Sequence, residues 1–386
     1  MDTLFFPKKP FPHRGGIRIP HRKNTAEKET VRMPAPAEVA IPMQMHIGAP
    51  CTPTVAVGDR VLVGQKIGDS AKSMSSPIYA SVSGTVKSIS QIPLGGGAYG
   101  EAVVIASDGL MEEASFSPVS VTNAQGLAAA ARNGGLVVLG GAGFPAHIKL
   151  TVPEGKTVDT LLINVAECEP YLTADYREVL ENSWDVMSGI FTVKSALNIH
   201  RVLICVEDNK PEAVRTLREI ADNSADAKDE VRVLSLPASY PHGAEKVLIK
   251  AATGREVPAG KLPADAGCIV MNVTSIATLA RFIKTGKPLT EKRLTVDGAI
   301  ACPQNVMVPI GTYADDVLSF CGGFTEEPKK VLFGGPMMGF AQKDLHIPVV
   351  KNSNGILVLG EKEAKLSDPT PCIRCGSCLS VCPMGL

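Results

Sequence analysis

Short apolar runs broken by glycine, proline and serine dominate the chain from residue 36 to about residue 106. Valines alternate with other residues from Val55 onward, and Gly58 and Gly64 close two successive runs. A period of two places alternate side chains on opposite faces of a strand, and glycine at the end of a run favours a turn. The pattern predicts a small all-β domain over residues 36–118. The proline-rich, basic stretch over residues 1–35 has no periodicity and is predicted to be an extended arm.

The pattern becomes α/β at about residue 123. An alanine-rich helix is predicted over residues 123–132, stopped by two glycines, and an apolar strand follows over residues 136–139. Further strands are predicted over residues 160–164, 202–206, 231–236 and 268–271, with helices over residues 174–197, 211–221, 244–252 and 275–284. Strands and helices that alternate at crossover spacing form a parallel sheet covered on both faces. We therefore predict a Rossmann-like parallel α/β domain over residues 119–290.

The pattern changes again near residue 291. Two short β segments, a turn and a short helix predict a small β-grasp-like domain over residues 291–340. A turn-rich linker is predicted over residues 341–368, and a cysteine-rich segment fills residues 369–386. The predicted fold class is thus a multidomain α/β and β protein.

Composition excludes several classes of function. The 386 residues include 39 basic and 39 acidic side chains, and aromatic residues make up 5%, so the chain lacks the basic footprint of a nucleic-acid-binding protein. The N-terminus has no apolar signal region, and every apolar stretch is far shorter than a membrane span. We expect a cytosolic chain that does not insert into a membrane. Six scattered cysteines among apolar neighbours are expected to be small core residues.

Four cysteines near the C-terminus form the most restrictive motif. Cys372, Cys375, Cys378 and Cys382 follow the spacing C-x2-C-x2-C-x3-C-P of a bacterial-type iron–sulfur run. Three thiolates at i, i+3 and i+6 can converge on one [4Fe–4S] cluster, and the fourth typically ligates a second cluster. Either the sequence is cut inside a ferredoxin-like segment, or all four serve one cluster. Zinc is the alternative, but zinc sites favour two separated cysteine pairs or added histidines.

A glycine-rich turn is the second candidate site. Gly140, Gly141, Ala142, Gly143 and Phe144 follow the strand predicted over residues 136–139. Adjacent glycines let the main chain approach a ligand closely, and consecutive N–H groups can bind a phosphate or a flavin edge. Lys149 could neutralise a phosphate. The alternative is a plain tight turn, and the G-x-G-x-x-G dinucleotide fingerprint is absent.

The end of the next predicted strand is the third candidate site. Asn164, Glu167 and Glu169 lie at the carboxyl end of the strand predicted over residues 160–164. That edge of a parallel sheet is where α/β folds bind ligands. The alternative is that these side chains cap the following helix.

Together these segments resemble the flavoprotein subunit of respiratory NADH dehydrogenase. The glycine turn, the downstream lysine and the Asn/Glu strand end occur in the same order in that family. Gly243 and Glu245 match the family's Gly-Glu-Glu turn, and Asn272 matches the first residue of the family's Asn-Val-Glu-Thr segment. The resemblance implies that FMN lies over the glycine turn, that Lys149 and Asn272 meet its phosphate end, and that Glu167 and Glu169 line the flavin and nicotinamide side. The chain departs from the family at Ala166 and Ala244, each of which replaces a carboxylate.

The resemblance to the RnfC family covers nearly the whole chain. Residues 13–17 match its Gly-Gly-Ile segment, residues 57–86 resemble the lipoyl/biotinyl hammerhead of its N-terminal barrel-sandwich module, and residues 294–320 look like its SLBB-type β-grasp domain. The implied function is electron transfer between NAD(H), FMN and [4Fe–4S] clusters, two in the intact protein and incomplete or absent in this chain. The implied partners are NADH and the integral membrane and iron–sulfur subunits of the Rnf complex, at the cytoplasmic side of the cell membrane.

Two other functions are compatible with the same motifs. A soluble flavin-dependent cobalamin reductase has similar flavin and iron–sulfur parts, but such chains begin close to the glycine turn, whereas this chain has an N-terminal extension of roughly 120 residues. A non-catalytic adaptor would keep the motifs as relics. A flavin spectrum distinguishes the adaptor from both enzymes.

Overall fold

The computed structural model describes residues 6–12, 16–227, 229–366 and 368–382. Three groups of strands and helices follow one another along the chain. We name them the N-terminal β region (residues 36–107), the α/β region (residues 124–285) and the C-terminal β region (residues 291–359). Residues 6–12 and 16–35, which we name the arm, precede all three. Residues 13–15, which are part of the match to the Gly-Gly-Ile segment, and Pro383, which ends the cysteine motif, lie outside the described residues.

Two small sheets form the N-terminal β region. The first eight strands of the chain are β1 (Val31–Arg32), β2 (Glu38–Pro42), β3 (Thr52–Pro53), β4 (Arg60–Val61), β5 (Lys66–Asp69), β6 (Ile78–Tyr79), β7 (Gly84–Pro93) and β8 (Tyr99–Ser107). One sheet has the order β2-β8-β7-β4 and the other β3-β5-β6. Ile41, Ile67 and Ile105 are fully buried between them. Apolar residues that alternate along these strands therefore form one core, as the period of two predicts.

A parallel sheet with helices on both faces forms the α/β region. Its helices are α1 (Ala124–Asn133), α2 (Ala146–Lys149), α3 (Ala174–Ala196), α4 (Pro211–Asn223), α5 (Glu245–Thr253) and α6 (Val273–Thr285), and its strands are β9 (Thr160–Val165), β10 (Arg201–Glu207), β11 (Val231–Leu236) and β12 (Cys268–Asn272). The order is β11-β10-β9-β12, with every pair parallel. Leu161 packs with the helices of one face and Leu162 with those of the other. Burial on both faces explains why these strands are continuous apolar runs.

The strand predicted over residues 136–139 does not form. Val137 makes only an isolated bridge with Pro145, and the amide of Leu139 donates to the hydroxyl of Ser275 (2.9 Å). No neighbouring strand among the described residues pairs with this stretch, so it folds back on itself as the first side of the glycine turn. The other predicted strands and helices of this region form within two residues of their predicted ends.

The C-terminal β region is larger than the predicted β-grasp-like unit. It contains β13 (Glu291–Gly298), β14 (Gln304–Pro309), α7 (Ala314–Phe320), β15 (Lys330–Phe333), β16 (Phe340–Gln342) and β17 (Gly355–Leu359), and α8 (Glu361–Ala364) and α9 (Ser377–Val381) follow. The six-stranded sheet has the order β1-β14-β13-β17-β15-β16. The prediction of a linker over residues 341–368 is wrong at β17, which is buried at the centre of the sheet.

Charged groups join the α/β region to the C-terminal β region. The carboxylate of Glu178 in α3 accepts hydrogen bonds from Arg281 in α6 (2.6 Å) and from Arg293 in β13. Glu178 and Arg293 are almost completely buried. The arm adds β1 to one edge of the six-stranded sheet, and Lys23 of the arm donates to the main chain of the α/β region, so the arm too contacts both regions.

Candidate functional site: a cleft at the switch point of the parallel sheet

The carboxyl ends of β9 and β12 form the base of the site. The chain leaves β9 toward β10 on one side, while β12 lies on the other side, so the sheet has its topological switch point here. Ligands bind at such points because the loops after the two strands diverge and leave a crevice. Asn164 and Asn272 are paired in register at this edge. The structure therefore brings together two of the predicted residues that are more than one hundred positions apart.

Both asparagines hold neighbouring segments in place. The amide of Asn164 donates to the main-chain oxygen of Gly243 (2.9 Å). The side-chain oxygen of Asn272 accepts from the amide of Ser275 (3.1 Å), which caps α6, and its amide nitrogen donates to Asp175 (2.7 Å). These contacts bring the turn before α5 and the first turns of α3 and α6 to one edge of the sheet.

The glycine loop, residues 139–145, lies against Asn272. A Cβ atom on Gly140 would come within 2.2 Å of the Asn272 amide nitrogen, so only glycine fits at this position. Gly143 has a φ of +72°, and its main-chain oxygen accepts from Ile47 of the N-terminal β region (3.1 Å). The close contact at Gly140 is with the side chain of Asn272, and the approach of the glycine loop to a ligand stays a prediction.

Glu167 caps a helix, which is the alternative that the sequence left open. Its carboxylate accepts from the amides of Asp175 (2.7 Å) and Tyr176 (3.2 Å) at the start of α3. Burial raises the pKa of Glu167 to about 7, while the nearby ammonium group of Lys23 opposes that shift. A carboxylate next to the N-terminal amides of a helix is stabilised by their partial positive charge.

Glu169 binds a loop of the C-terminal β region. One carboxylate oxygen accepts from the amide of Met337 (3.0 Å), within the glycine-rich loop between β15 and β16. The other oxygen is buried and finds no hydrogen-bond partner among the described residues. Burial raises the pKa of this carboxyl. An unpaired buried acceptor at the wall of a cleft suits a ligand with an N–H or O–H donor.

All three regions line one cleft of about 1280 Å³. Eight of the predicted residues are on its walls, namely Gly140, Gly141, Ala142, Asn164, Glu167, Glu169, Gly243 and Asn272. The other four predicted residues, Gly143, Phe144, Lys149 and Glu245, are not among the wall residues. Lys149 forms an ion pair with Glu245, so each neutralises the other.

Several wall residues were not predicted from the sequence. Asp175 binds the amide of Asn272, residues 334–339 form a second glycine-rich wall, and residues 43–47 and 352–354 close the sides. The glycines at positions 334, 335 and 339 were the signal in the sequence for that second wall. The others carry no local motif, because only the packing of three regions brings them to the cleft.

The wall residues fit a flavin mononucleotide and a dinucleotide by three criteria. The main chain is exposed at a loop where glycine is obligatory, asparagine side chains flank it, and a buried carboxylate oxygen lacks a donor among the described residues. Ligand cavities typically enclose about 300–1,000 Å³, so a cleft of about 1280 Å³ has room for more than one small group.

The cysteine run, Cys372 to Cys382, is not a formed metal site. Cys372, Cys375 and Cys378 are exposed and Cys382 is half-buried. No group of three or more histidine, cysteine, aspartate or glutamate side chains in the described part of the chain is arranged to hold a metal ion. A hydrogen bond with the hydroxyl of Ser377 lowers the pKa of Cys375. The spacing of the donors suits an iron–sulfur cluster, but their positions here do not, so we derive no electron-transfer step through one.

No helix within the described ranges is both long enough and apolar enough to cross a bilayer.

Family models match three consecutive parts of the chain. They are the RnfC barrel sandwich hybrid domain at residues 11–110, the Nuo51 FMN-binding domain at residues 131–281 and the SLBB domain at residues 293–341.

Two solved structures resemble the fold. They are NAD+-reducing [NiFe]-hydrogenase in the H2-reduced state (TM-score 0.51, 18% identity, 63% of this chain and 49% of that one) and in the air-oxidized state (TM-score 0.53, 19% identity, 62% of this chain and 47% of that one). At this identity the likeness concerns the fold alone.

Curated relatives match almost the whole chain. The C subunit of the proton-translocating ferredoxin:NAD(+) oxidoreductase complex of Clostridium ljungdahlii is 44% identical over 97% of this chain and 82% of its own length. The C subunit of the Na(+)-translocating complex of Acetobacterium woodii is 44% identical over 97% of this chain and 85% of its own length. The C subunit of the ion-translocating oxidoreductase complex of Rhodobacter capsulatus is 38% identical over 100% of this chain and 75% of its own length. The chain therefore belongs to the RnfC family, the C subunits of the ion-translocating oxidoreductase complexes.

Proposed function

We propose that this chain is the electron-transfer subunit of an ion-translocating ferredoxin:NAD+ oxidoreductase complex, and that it passes electrons between NAD(H), FMN and [4Fe–4S] clusters. The observation that carries this proposal is the cleft at the switch point of the sheet, where Asn164, Asn272 and Gly140 meet. A bound flavin accepts a hydride as two electrons and can release them singly. The protein has to position that ring and keep water from it.

In this proposal FMN lies over residues 140–144, with its phosphate end toward Asn272. The glycine loop supplies main-chain N–H groups, and Asn272 is fixed by the hydrogen bond to Asp175. Lys149 is paired with Glu245, so part of its charge is already neutralised within the protein. We therefore expect Lys149 to contribute less to phosphate binding than the glycine loop does.

Glu167, Glu169 and Gly243 would line the flavin and nicotinamide side. Glu167 holds the first turn of α3 through two hydrogen bonds, so it positions the wall of the cleft. The unpaired oxygen of Glu169 can accept a hydrogen bond from a ligand, for example from a carboxamide. The loop over residues 334–339 lines this side of the cleft.

The same proposal includes the assembly around the chain. Integral membrane and iron–sulfur subunits of the complex would be its partners, with this chain bound peripherally on the cytoplasmic side of the membrane. The [4Fe–4S] clusters of this proposal would be held by thiolates of the cysteine run, Cys372 to Cys382. We also propose that the domains follow the boundaries at residues 36–118, 119–290 and 291–340, with β17 added to the last sheet.

A spectrum of the chain after incubation with FMN and gel filtration tests the proposal, followed by anaerobic titration with NADH. We expect retained flavin that bleaches as NADH is added. Glu169→Gln should retain flavin but require more NADH to bleach it, because the substitution removes the charge and one acceptor. The matched control is Glu212→Gln, since Glu212 is exposed on α4 and makes only a surface ion pair.

Two other results of this experiment would contradict different parts of the proposal. Flavin that is retained but does not bleach would contradict NADH binding by this chain. A protein that retains no flavin would contradict the proposal as a whole and favour the non-catalytic adaptor.

A further inference from the structure

Lys23 belongs to the arm, outside the α/β region, but its half-buried side chain lies beneath the loop that follows β9. We name residues 166–173 the strand-end loop. The ammonium group donates to the main-chain oxygens of Glu167 (2.8 Å), Glu169 (2.9 Å) and Leu172 (2.5 Å). An ammonium group has three N–H donors, so all three are used within one loop.

The strand-end loop needs such donors because its main chain is unusual. Glu167 has a φ of +45° and Tyr171 a φ of +68°, in the left-handed region that residues other than glycine rarely adopt. Such conformations persist only where the surroundings hold them. A second lysine, the buried Lys210, donates to the main-chain oxygen of Ala166 (2.5 Å). Four main-chain oxygens of this loop therefore accept hydrogen bonds from two lysines of distant segments.

Contacts on both sides of Lys23 fix its register. The amide of Tyr171 donates to the main-chain oxygen of His21 (2.9 Å), and Arg22 donates to the hydroxyl of Tyr171 (2.8 Å). The hydroxyls of Thr25 and Thr173 lie 2.5 Å apart. The arm and the strand-end loop thus run together over their whole contact, with Lys23 at its centre.

The carboxylates of Glu167 and Glu169 extend from this loop to the wall of the cleft. Lys23 contacts the main chain beneath them and does not itself line the cleft. Burial lowers the pKa of Lys23 to about 8, so the group keeps its proton near neutral pH. Its charge lies among those of Glu167, Glu207 and Lys210.

We propose that Lys23 is a positioning residue of the cofactor cleft, which holds the strand-end loop, and through it Glu167 and Glu169, in the conformation that the ligand meets. The part of this inference that concerns the ligand rests on the proposed function. The part that concerns the loop does not. The arm would then be a component of the site, although it belongs to none of the three regions that line the cleft.

Hydrogen exchange of the whole chain, without added flavin, tests the loop. We expect Lys23→Met to speed exchange of the amides in residues 167–173 by about tenfold or more, because three buried oxygens lose their donor. The matched control is Lys28→Met, since Lys28 lies in the same arm and donates to the main-chain oxygen of Pro303 at an exposed position. It should leave exchange in residues 167–173 unchanged. Equal exchange in Lys23→Met and wild type would overturn the proposal.

Binding of FMN tests the consequence for the site. Lys23→Met should weaken the affinity for FMN by about tenfold or more and alter the visible spectrum of the flavin that is retained, whereas Lys28→Met should change neither. An unchanged affinity and spectrum alongside faster loop exchange would overturn the positioning role. If the wild type retains no FMN, the proposed function fails, but the exchange result still decides whether Lys23 holds the loop.

A second variant covers the case in which Lys23→Met does not fold. Lys23→Gln keeps a polar group with two N–H donors but removes the charge and the third donor. In the folded variant we expect faster exchange in residues 167–173 and weaker FMN binding than in wild type. Wild-type values for both would overturn the proposal.

Discussion

The walls of the cleft are held by hydrogen bonds between partly buried groups, whereas three of the four thiols of the cysteine run are exposed. Asn272 lies against Gly140 and donates to Asp175. Cys372, Cys375 and Cys378 are exposed and belong to no group arranged for metal binding within the described residues. Contacts of the first kind need only the polypeptide, whereas metal binding and the ordering of thiolate ligands are coupled.

The largest effect is expected where the cleft depends on the junction between regions. Glu178 is buried between Arg281 and Arg293, so Glu178→Gln leaves two guanidinium groups without their shared carboxylate. We expect the free energy of unfolding to fall by about 3 kcal/mol and FMN binding to weaken, because the C-terminal β region is then held against α3 less firmly, with Arg293 keeping its bond to Glu181. Denaturant titration measures the first effect.

Glu212→Gln is the control for that change, since the ion pair of Glu212 with Arg215 is exposed. It should alter the free energy of unfolding by no more than about 0.5 kcal/mol. Equal effects of the two variants would show that the buried junction does not stabilise the cleft.

The next effect concerns the contact of the glycine loop with Asn272. In Gly140→Ala the new Cβ would overlap the Asn272 amide, which can move away only by disturbing its hydrogen bonds with Asp175 and Ser275. We expect a loss of about 2 kcal/mol in stability and loss of FMN retention on gel filtration. The control is Gly141→Ala, where the nearest atom, on Val138, is 3.8 Å away, and it should cost much less stability. Similar losses in both variants would contradict the close approach at Gly140.

A smaller effect should appear as a dependence of stability on pH. Lys351 is fully buried beside the cleft wall and donates to the main-chain oxygens of Pro77 and Gly135 (2.7 Å each). Burial lowers its pKa from 10.5 to about 7. Between these two values the unfolded chain holds a proton that the folded chain has lost, so the free energy of unfolding should rise with pH. One such group contributes at most about 1.4 kcal/mol per pH unit.

Lys351→Met removes this group, so its stability should rise less between pH 7 and 9 than that of the wild type. Urea titrations at the two pH values measure the difference. Lys23 and Lys292 also have lowered pKa values and remain in both proteins, so only the difference between the two slopes is informative. Identical slopes would contradict the lowered pKa of Lys351.

The smallest effect is expected from the cysteine run. Replacing Cys372, Cys375 and Cys378 together by serine should change the free energy of unfolding by less than about 0.5 kcal/mol, because all three are exposed. Retention of FMN should not change either, since none of the three lines the cleft. A large loss of either property would show that the run is built into the fold, and the contrast with the cleft would disappear.

Local patterns predicted the α/β region well because its signals are contained within single strands and helices. The strands β9, β10, β11 and β12 are apolar runs bounded by turns, and the structure has them within two residues of their predicted ends. The pattern failed at residues 136–139, where an apolar run has no partner strand among the described residues. It also failed at β17, which pairs with β13 about sixty residues earlier along the chain. Strand pairing is a property of two segments, and the sequence of one does not reveal it.

The candidate site also has a part that local patterns predict and a part that they do not. The glycine loop and the asparagines could be recognised because glycine in a turn and asparagine at a strand end have a direct chemical use there. The actual contacts of Glu167 and Glu169 could not, because a carboxylate suits a helix cap, a loop amide or a ligand equally well. Lys23 carries no local signal at all, since its three acceptors lie about 145 residues away along the chain.

The sequence by itself determined the order of the regions, the parallel sheet and the positions of the glycine loop and the cysteine run. These depend on the period of apolar residues and on spacing, which are local properties. Only the tertiary structure decided that the three regions share one cleft, that Glu167 caps α3 and that the arm reaches beneath the strand-end loop. The physical reason is that a buried polar group takes whichever partner the packing of distant segments brings within hydrogen-bond distance.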